Sequence, residues 1–388
     1  MIGSSGSMQN TNSARTSATD AAFVIHEGHE GHEDRSRTAY SNLRDLGELR
    51  GFGIRDQDSP LLFVPNDLAS FLRTDLQLLR ERYPVTDLYL RSKRLNPGTI
   101  LAAVARHDVV FGWFASWHTF LPLLFARLLG KPSLLVIGGY DLARMPEIGY
   151  GHQRGGLKRR VSRRTMRLAT CLVTNAHYSQ QEAQHNAGIP GARVRVVYHG
   201  VADPFGAVPE GPRMRMALTV GNVDRGNLWR KGHEPFVRAA AQLPDVQFVL
   251  VGAWKDDAIS HLRAIAPPNV RFTGRVDDAS LLAHFRQAAV YVQASLHEGF
   301  GLSLAEAMLA GCVPVVTRAG ALPEVVGQAG IYLESNTPAA IAEGIRAGLQ
   351  ADASVRQQAR ERIAGSFPLA ERKRQLYQLV DSLMSKAR

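Results

Sequence analysis

Glu298 and Glu306 stand eight positions apart in the run HEGFGLSLAEAMLAGCVPVVTRAG, His297 to Gly320, with Gly-Phe-Gly-Leu-Ser between them. Gly299 and Gly301 let backbone approach a ligand closely. Amides at the start of the helix predicted to follow carry partial positive charge, which suits a diphosphate. Glu298 precedes that helix and can reach into a cleft, or it is a solvated loop carboxylate. Glu306 has a bland alternative too. Ser303-Leu-Ala-Glu306 fits the S-x-x-E capping box, in which the glutamate satisfies helix-end amides and binds nothing. Spacing alone leaves both pairs of readings open. A second cluster, His26, His29 and His32 in HEGHEGHED, has imidazoles that can coordinate metal. Nothing fixes their geometry, so the tract reads as solvated low-complexity chain. The acidic pairs Asp256-Asp257 and Asp277-Asp278 stand at predicted helix starts, where capping explains them. No metal site is expected.

The elements that position the glutamates follow from apolar patterning. LLFVP (61–65), VTDLYL (85–90), HDVVFGWF (107–114), SLLVIGG (133–139), CLVTN (171–175) and VRVVYHG (194–200) read as strands. Helical spacing marks 68–83, 119–130 and 179–188 between them. Strands apolar throughout, alternating with helices, predict a parallel sheet covered on both faces. VADPFGAVPEGPR (201–213) is rich in Pro and Gly and reads as a linker. The alternation then restarts, with strands at 216–221, 247–252, 269–274, 289–294, 312–317 and 330–334. The expected fold class is α/β: two Rossmann-like domains, 58–200 and 214–368, facing a cleft, with ligands beyond the C-terminal strand ends. Residues 1–57 read as a polar, disordered tail, and 369–388 as an amphipathic helix.

Composition bounds the function classes. The chain has 388 residues and a net charge of +11. Seven basic residues and no acidic one fall between Arg154 and Arg167. This is either a solvated helix face or a surface meeting anionic lipid or an acidic acceptor. No helix-turn-helix, zinc or aromatic RNA-binding signature accompanies the charge, so nucleic acid is not expected. Cys171 and Cys312 lie in apolar runs and read as reduced thiols. The first residues lack a signal-peptide pattern, and no transmembrane span is expected. The expected location is cytoplasmic, with peripheral contact at an inner membrane face.

The glutamate stretch resembles the E-x7-E motif of glycosyltransferase family 4, retaining enzymes of GT-B fold. The resemblance runs from Met216 to about Glu334 through KGHEPFVRAA (231–240), VLVG (249–252), FTGRVDDASLLAHF (272–285), SLHEGFGLSLAEAM (295–308) and GALPEVVG (320–327). Linked motifs in order are specific. TNAHYSQQEAQHNAGIP (174–190) and VVYHGVAD (196–203) match more loosely. The resemblance implies a nucleotide diphosphate sugar as donor. Glu298 would contact donor-sugar hydroxyls, and Glu306 the ribose hydroxyls, since a carboxylate accepts from two adjacent hydroxyls. Amides of Phe300, Gly301 and Leu302 would meet the distal phosphate or sugar. Lys231 would neutralise the leaving diphosphate. Gly274 and Arg275, with Val276, would lie near the base. It also implies retention at the anomeric carbon and no metal or other cofactor.

Three positions depart from the family pattern. Gly221 is followed by Asn222 where members carry Arg, and Arg225 or Arg230 is left to supply that cation. FVPNDLASF replaces a glycine-rich first loop. VIGGYDL puts Gly138 or Gly139 where many members have His. Asp141 and His118 then become acceptor-side candidates, Asp141 as a base or orienting group. Each also has a structural reading, Asp141 as a turn cap and His118 as a helix-start residue. Trp113, Trp117 and Tyr140 form an acceptor wall or belong to the core. The expected function is transfer of a sugar to an acceptor hydroxyl in cell-envelope glycan or glycolipid synthesis, with a lipid-linked acceptor suggested by the basic segment. The alternative is a GT-B-shaped scaffold without transfer activity. An NAD-linked oxidoreductase lacks its G-x-G-x-x-G, and a sugar-nucleotide 2-epimerase would need no acceptor.

Overall fold

The computed structural model describes residues 61–66, 69–89, 96–208, 211 and 213–387. The expectations for residues 1–57, including His26, His29 and His32, lie outside the described residues. The first domain alternates β1 (Leu61–Val64), α1 (Ser70–Arg80), β2 (Val85–Asp87), α2 (Pro97–Ala105), β3 (Val109–Trp113), α3 (Trp117–Leu128) and β4 (Ser133–Val136). It continues with α4 (Gly156–Leu168), β5 (Cys171–Thr174), α5 (His177–His185) and β6 (Val194–Val196). All its strands pair in parallel, in the order β2-β1-β3-β4-β5-β6. β1, β3 and β4 are buried at every position. That explains their unbroken apolar sequence, because both sheet faces are covered.

The second domain runs β7 (Met214–Val220), α6 (Arg225–Arg230), α7 (His233–Ala239), β8 (Gln247–Val251), α8 (Ala258–Ile265), β9 (Val270–Gly274), α9 (Asp278–Gln287) and β10 (Ala288–Gln293). α10 (Leu302–Leu309), β11 (Val313–Val316), α11 (Leu322–Val326), β12 (Ile331–Tyr332), α12 (Pro338–Gln350) and α13 (Ala353–Ser366) complete it. Its sheet, also parallel, has the order β12-β11-β10-β7-β8-β9. The order reverses between β7 and β10, and a crevice opens at such a switch point beyond the strand ends. Leu304, Met308, Phe285 and Ile363 fill one face of this sheet, and Phe236, Leu262, Ile341 and Ile345 the other.

α14 (Leu369–Ala387) is the expected amphipathic helix, and it returns to the first domain. Leu376, Leu379, Val380 and Leu383 enter the core beneath β1 and β3 together with α1. Each such burial contributes about 1.5–3 kcal/mol. One fully buried ion pair pins the helix. Arg372 donates from Nε and Nη2 to the two oxygens of Asp75 at 2.6 and 2.7 Å. Its remaining Nη1 reaches Asn175 and the carbonyls of Val197 and Tyr198, and Trp113 Nε1 donates to Asp75. The chain thus crosses between domains twice, side by side: Val201 N donates to Phe367 O at 2.9 Å. A Cβ on Gly200 would meet the Leu369 backbone at 2.6 Å, so only glycine lets the crossings touch.

Candidate active site

The second-domain switch point holds the opening glutamates. Gln293 ends β10, and the loop to α10 carries Glu298. Lys231, at the C-terminal end of α6, donates to Glu298 Oε2 at 3.0 Å. Gln293 Nε2 reaches the same oxygen at 3.3 Å. Burial acts to raise the Glu298 pKa, but Lys231 and then Arg230 outweigh it, and the carboxyl lies below its ordinary value. It is ionised at neutral pH. The loop is held in place by Gly320, whose φ is +62° and whose Cβ would come within 2.2 Å of the Glu298 carbonyl. Ala321 N donates to that carbonyl at 2.9 Å.

α10 starts at Leu302, one residue before Ser303. Gly301 is its N-cap with φ 95°, a left-handed conformation natural to glycine, and no side chain caps the helix. The Ser303–Glu306 capping box, the structural alternative for Glu306, is therefore not formed: Ser303 lies inside the first turn, one position past Leu302. Glu306 is half-buried, and its carboxyl has no hydrogen-bond partner among the described residues. Burial first, then the Asp278 charge, pushes its pKa up to about 7. An acid left without partners in this way is typical of a ligand contact rather than of a structural staple. The Phe300 side chain is buried against His199 and Phe367, ring centroids 5.3 Å away in both cases, so it packs the hinge and leaves only its backbone to a ligand.

The other donor-side candidates surround this centre. Gly221 follows β7, and a Cβ there would strike His233 at 2.9 Å and Lys231 at 3.0 Å. Asn222 offers its carbonyl to Asn227 Nδ2 at 3.0 Å and to His233 Nε2 at 3.2 Å. Burial lowers the His233 pKa to about 3, so this imidazole is a neutral donor. Gly274 ends β9 with φ 72° beside the half-exposed Trp254, and Arg275 is exposed. The two spare arginines separate cleanly. Arg225 forks onto Asp257 at 2.6 and 2.8 Å on the surface. Arg230 reaches the His297 carbonyl at 3.4 Å and lies 4.8 Å over the Tyr150 ring, close enough to lower the Glu298 pKa. Asp277 caps α9 through Ser280 N as expected, whereas Asp257 is taken by Arg225 and only its neighbour Asp256 serves a helix amide, Ala258 N at 3.0 Å.

The first domain faces this centre closely, with Gly139 against Gly299. Asp141 is buried, and its oxygens accept Ala115 N at 2.8 Å and Gly138 N at 2.9 Å, tying the ends of β3 and β4 together. Burial outweighs these bonds and pushes its pKa up to about 7. His118 Nε2 sits 2.7 Å from the Trp113 carbonyl. Trp113 is fully buried core, while Trp117 and Tyr140 are exposed. Phe114, just past β3, has φ 63°, the one positive φ outside glycine among the described residues, and such strain collects at functional sites. Among the described residues no group of three or more His, Cys, Asp or Glu could hold a metal, and no helix is long and apolar enough to cross a membrane.

Three contacts across the cleft carried no signal of spacing in the sequence. Tyr150 meets Arg230 from the first domain. Glu182 of α5 accepts from His297 Nε2 at 3.0 and 3.1 Å. Glu324 of α11 accepts His177 N at 2.8 Å, Tyr178 N at 2.5 Å and the Tyr198 hydroxyl at 3.1 Å. His297 alone was within reach of the sequence, as the neighbour of Glu298.

Residues 215–351 match the family described as Glycosyl transferases group 1. An O-antigen chain mannosyltransferase B of Escherichia coli is 38% identical over 101 residues, 26% of each chain. A phosphatidyl-myo-inositol mannosyltransferase of Mycolicibacterium smegmatis is 33% identical over 142 residues, 35% of each chain. The matched stretches thus span about a quarter to a third of these relatives' length. The fold is similar to that of Anabaena Alr3699/HepE in complex with UDP and glucose, with TM-score 0.69 and 16% identity, over 84% of this chain and 100% of that one. A sucrose-phosphate synthase from Thermosynechococcus elongatus superposes with TM-score 0.65 at 17% identity, over 84% of this chain and 99% of that one. Two parallel six-stranded sheets around a cleft give the chain a GT-B fold, and its second domain matches the group 1 glycosyltransferases over residues 215–351.

Proposed function

We propose that the protein transfers a sugar, with retention, from a nucleotide diphosphate sugar to an acceptor hydroxyl in the synthesis of a cell-envelope glycan or glycolipid. The observation that carries this reading is the Lys231–Glu298 pair at 3.0 Å on the turn that opens α10, with Glu306 left unpaired one turn further on. Glu298, ionised, accepts donor-sugar hydroxyls. The amides of Phe300, Gly301 and Leu302 and the Lys231 ammonium receive the diphosphate as its charge develops, a stabilisation that is strong because the groups are already in place. Arg230, not Arg225, is the second cation of this site. Glu306 takes the ribose hydroxyls. Asp141, with a pKa near neutrality, orients or deprotonates the acceptor hydroxyl, and His118 lines the same side. No metal is required, since cationic side chains and helix amides do its work.

The relatives' names, an O-antigen and a phosphatidyl-myo-inositol mannosyltransferase, support an envelope acceptor and a hexosyl donor. The basic segment is α4, with Lys158, Arg160, Arg164 and Arg167 exposed. It supports peripheral contact with an anionic membrane carrying a lipid-linked acceptor. A thermal-shift screen with UDP, GDP, ADP and dTDP, without metal, tests the donor site, because a ligand of the folded state raises its apparent stability. One nucleotide diphosphate should raise Tm by several degrees. Absence of any shift in folded protein favours the non-catalytic scaffold.

A further inference from the structure

A crevice of about 330 Å³ opens between the domains beside the donor carboxylate. It lies within the size range of small-molecule sites. Its walls include Arg144, Tyr178, Gln181, Glu182 and Asn186 from the first domain and His297 from the second. The next residue in the chain is Glu298. Tyr150, whose ring centroid is 5.5 Å from that of His297, carries the Arg230 guanidinium 4.8 Å over its ring and so links the donor side to the crevice.

The lining selects a chemistry. Glu182 presents two acceptor oxygens. Both accept from His297 Nε2, at 3.0 and 3.1 Å. Tyr178 Oη and Asn186 Nδ2 reach the carboxylate only at 3.4 and 3.5 Å, and Asn186 Nδ2 donates at 3.1 Å to the Leu142 carbonyl instead. Each carboxylate oxygen therefore keeps a lone pair for a ligand hydroxyl. His297 is 2% exposed, and its Nδ1 is buried with no partner. Amide side chains and a phenol both donate and accept, and Arg144 adds donors. A carboxylate in the crevice opposes a phosphate or carboxylate ligand. Met145 and Leu296 are the only aliphatic walls, too little for an acyl chain. What remains is a neutral ring rich in adjacent hydroxyls with one apolar face. A second crevice, of about 270 Å³ near Pro244 and Arg271, lies at the opposite ends of the strands and shares none of these features.

We propose that this crevice seats a sugar ring of the acceptor, so that the acceptor is a saccharide, with Glu182 and Asn186 taking its hydroxyls and Tyr178 flanking the ring. This rests on the transferase reading, and the test separates the two. Saturation-transfer NMR on the full chain would use methyl α-mannoside, methyl α-glucoside, methyl β-galactoside and methyl N-acetylglucosaminide as probes, with glycerol as control. Nucleotide diphosphate affinity would be measured by calorimetry in the same samples. At least one glycoside should bind. The double variant Arg144→Ala/Gln181→Ala, at exposed positions that do not hold the fold, should weaken it tenfold or more, and Glu182→Gln should do the same with packing kept. Nucleotide affinity should stay within twofold. Nucleotide binding with no glycoside signal, or glycoside binding indifferent to these variants, overturns the crevice assignment. Glycoside binding lost in the variants, in a protein that binds no nucleotide, supports the crevice and overturns the transferase reading.

Discussion

Glu298 and Glu306 flank one glycine-opened turn, and their surroundings drive them in opposite directions. Lys231 and Arg230 keep Glu298 ionised, whereas burial without a partner raises Glu306 from 4.5 to about 7. A carboxyl with a raised folded pKa holds its proton more tightly when folded. The resulting stability is present below about pH 4.5 and is lost as the pH rises through 7. Glu306→Gln should therefore stabilise the fold by about 1–3 kcal/mol at pH 8 and by little at pH 5. It should also weaken nucleotide diphosphate binding at least tenfold. Urea unfolding at the two pH values and calorimetry check both halves, and unchanged affinity would return Glu306 to a purely structural role. The motif made both glutamates legible in the sequence, but not whether Ser303 and Glu306 form a capping box. That was decided by Gly301, whose positive φ starts α10 too early for a Ser303 cap. The choice between Arg225 and Arg230 was equally hidden, because it depends on Asp257 and Tyr150, 32 and 80 positions distant in the chain from the arginines they meet.

Among elements, the strands were the most readable part of the chain. The twelve strands of the described residues lie where apolar runs predict them, most plainly β1, β3, β4, β10 and β11, which are buried on both faces and have no polar face to disguise them. α2 went unmarked because it buries only Ile100 and Val104, too few to show a helical period. The destination of α14 was illegible for another reason: its apolar stripe declares a buried face but not against what. Arg372 supplies that information, and only in three dimensions. Removing one partner of a buried, fully bonded ion pair leaves a charge without compensation. Arg372→Ala should cost about 3–5 kcal/mol. Hydrogen exchange should show the loss concentrated in the first domain, around β1 and β3, with the second domain's sheet protected as before. Equal loss in both domains would refute the assignment of α14 to the first.

At the scale of the whole molecule, the closed cleft is held by groups that each domain lends the other. Glu324 lies in the second domain, yet its carboxylate takes the first two amides of α5 in the first, those of His177 and Tyr178, across 147 positions of sequence from His177. A helix cap contributes about 1 kcal/mol, a factor of about five in a population. That is enough to bias closure and small enough for thermal opening. Glu324→Ala should enlarge the radius of gyration seen by small-angle scattering in nucleotide-free protein, with Glu324→Gln intermediate. No expansion in either variant would mean that other contacts, such as Glu182–His297, dominate closure. The GT-B architecture was legible from the restart of the strand–helix alternation after 201–213. The latch was not, because a lone glutamate on a helix start carries no mark of its distant partner.

The paired crossings and the return of α14 also set an order of assembly. During synthesis the second domain is a continuous stretch and can complete its sheet as it leaves the ribosome, whereas the first must wait with one wall of its core bare. The contact between Asp75 and Arg372 spans 297 positions, and closing so long a loop is slow. The half-built first domain, with α1, β1 and β3 exposed on one side, is thus the part of this chain most open to chaperone capture or aggregation while translation is still under way.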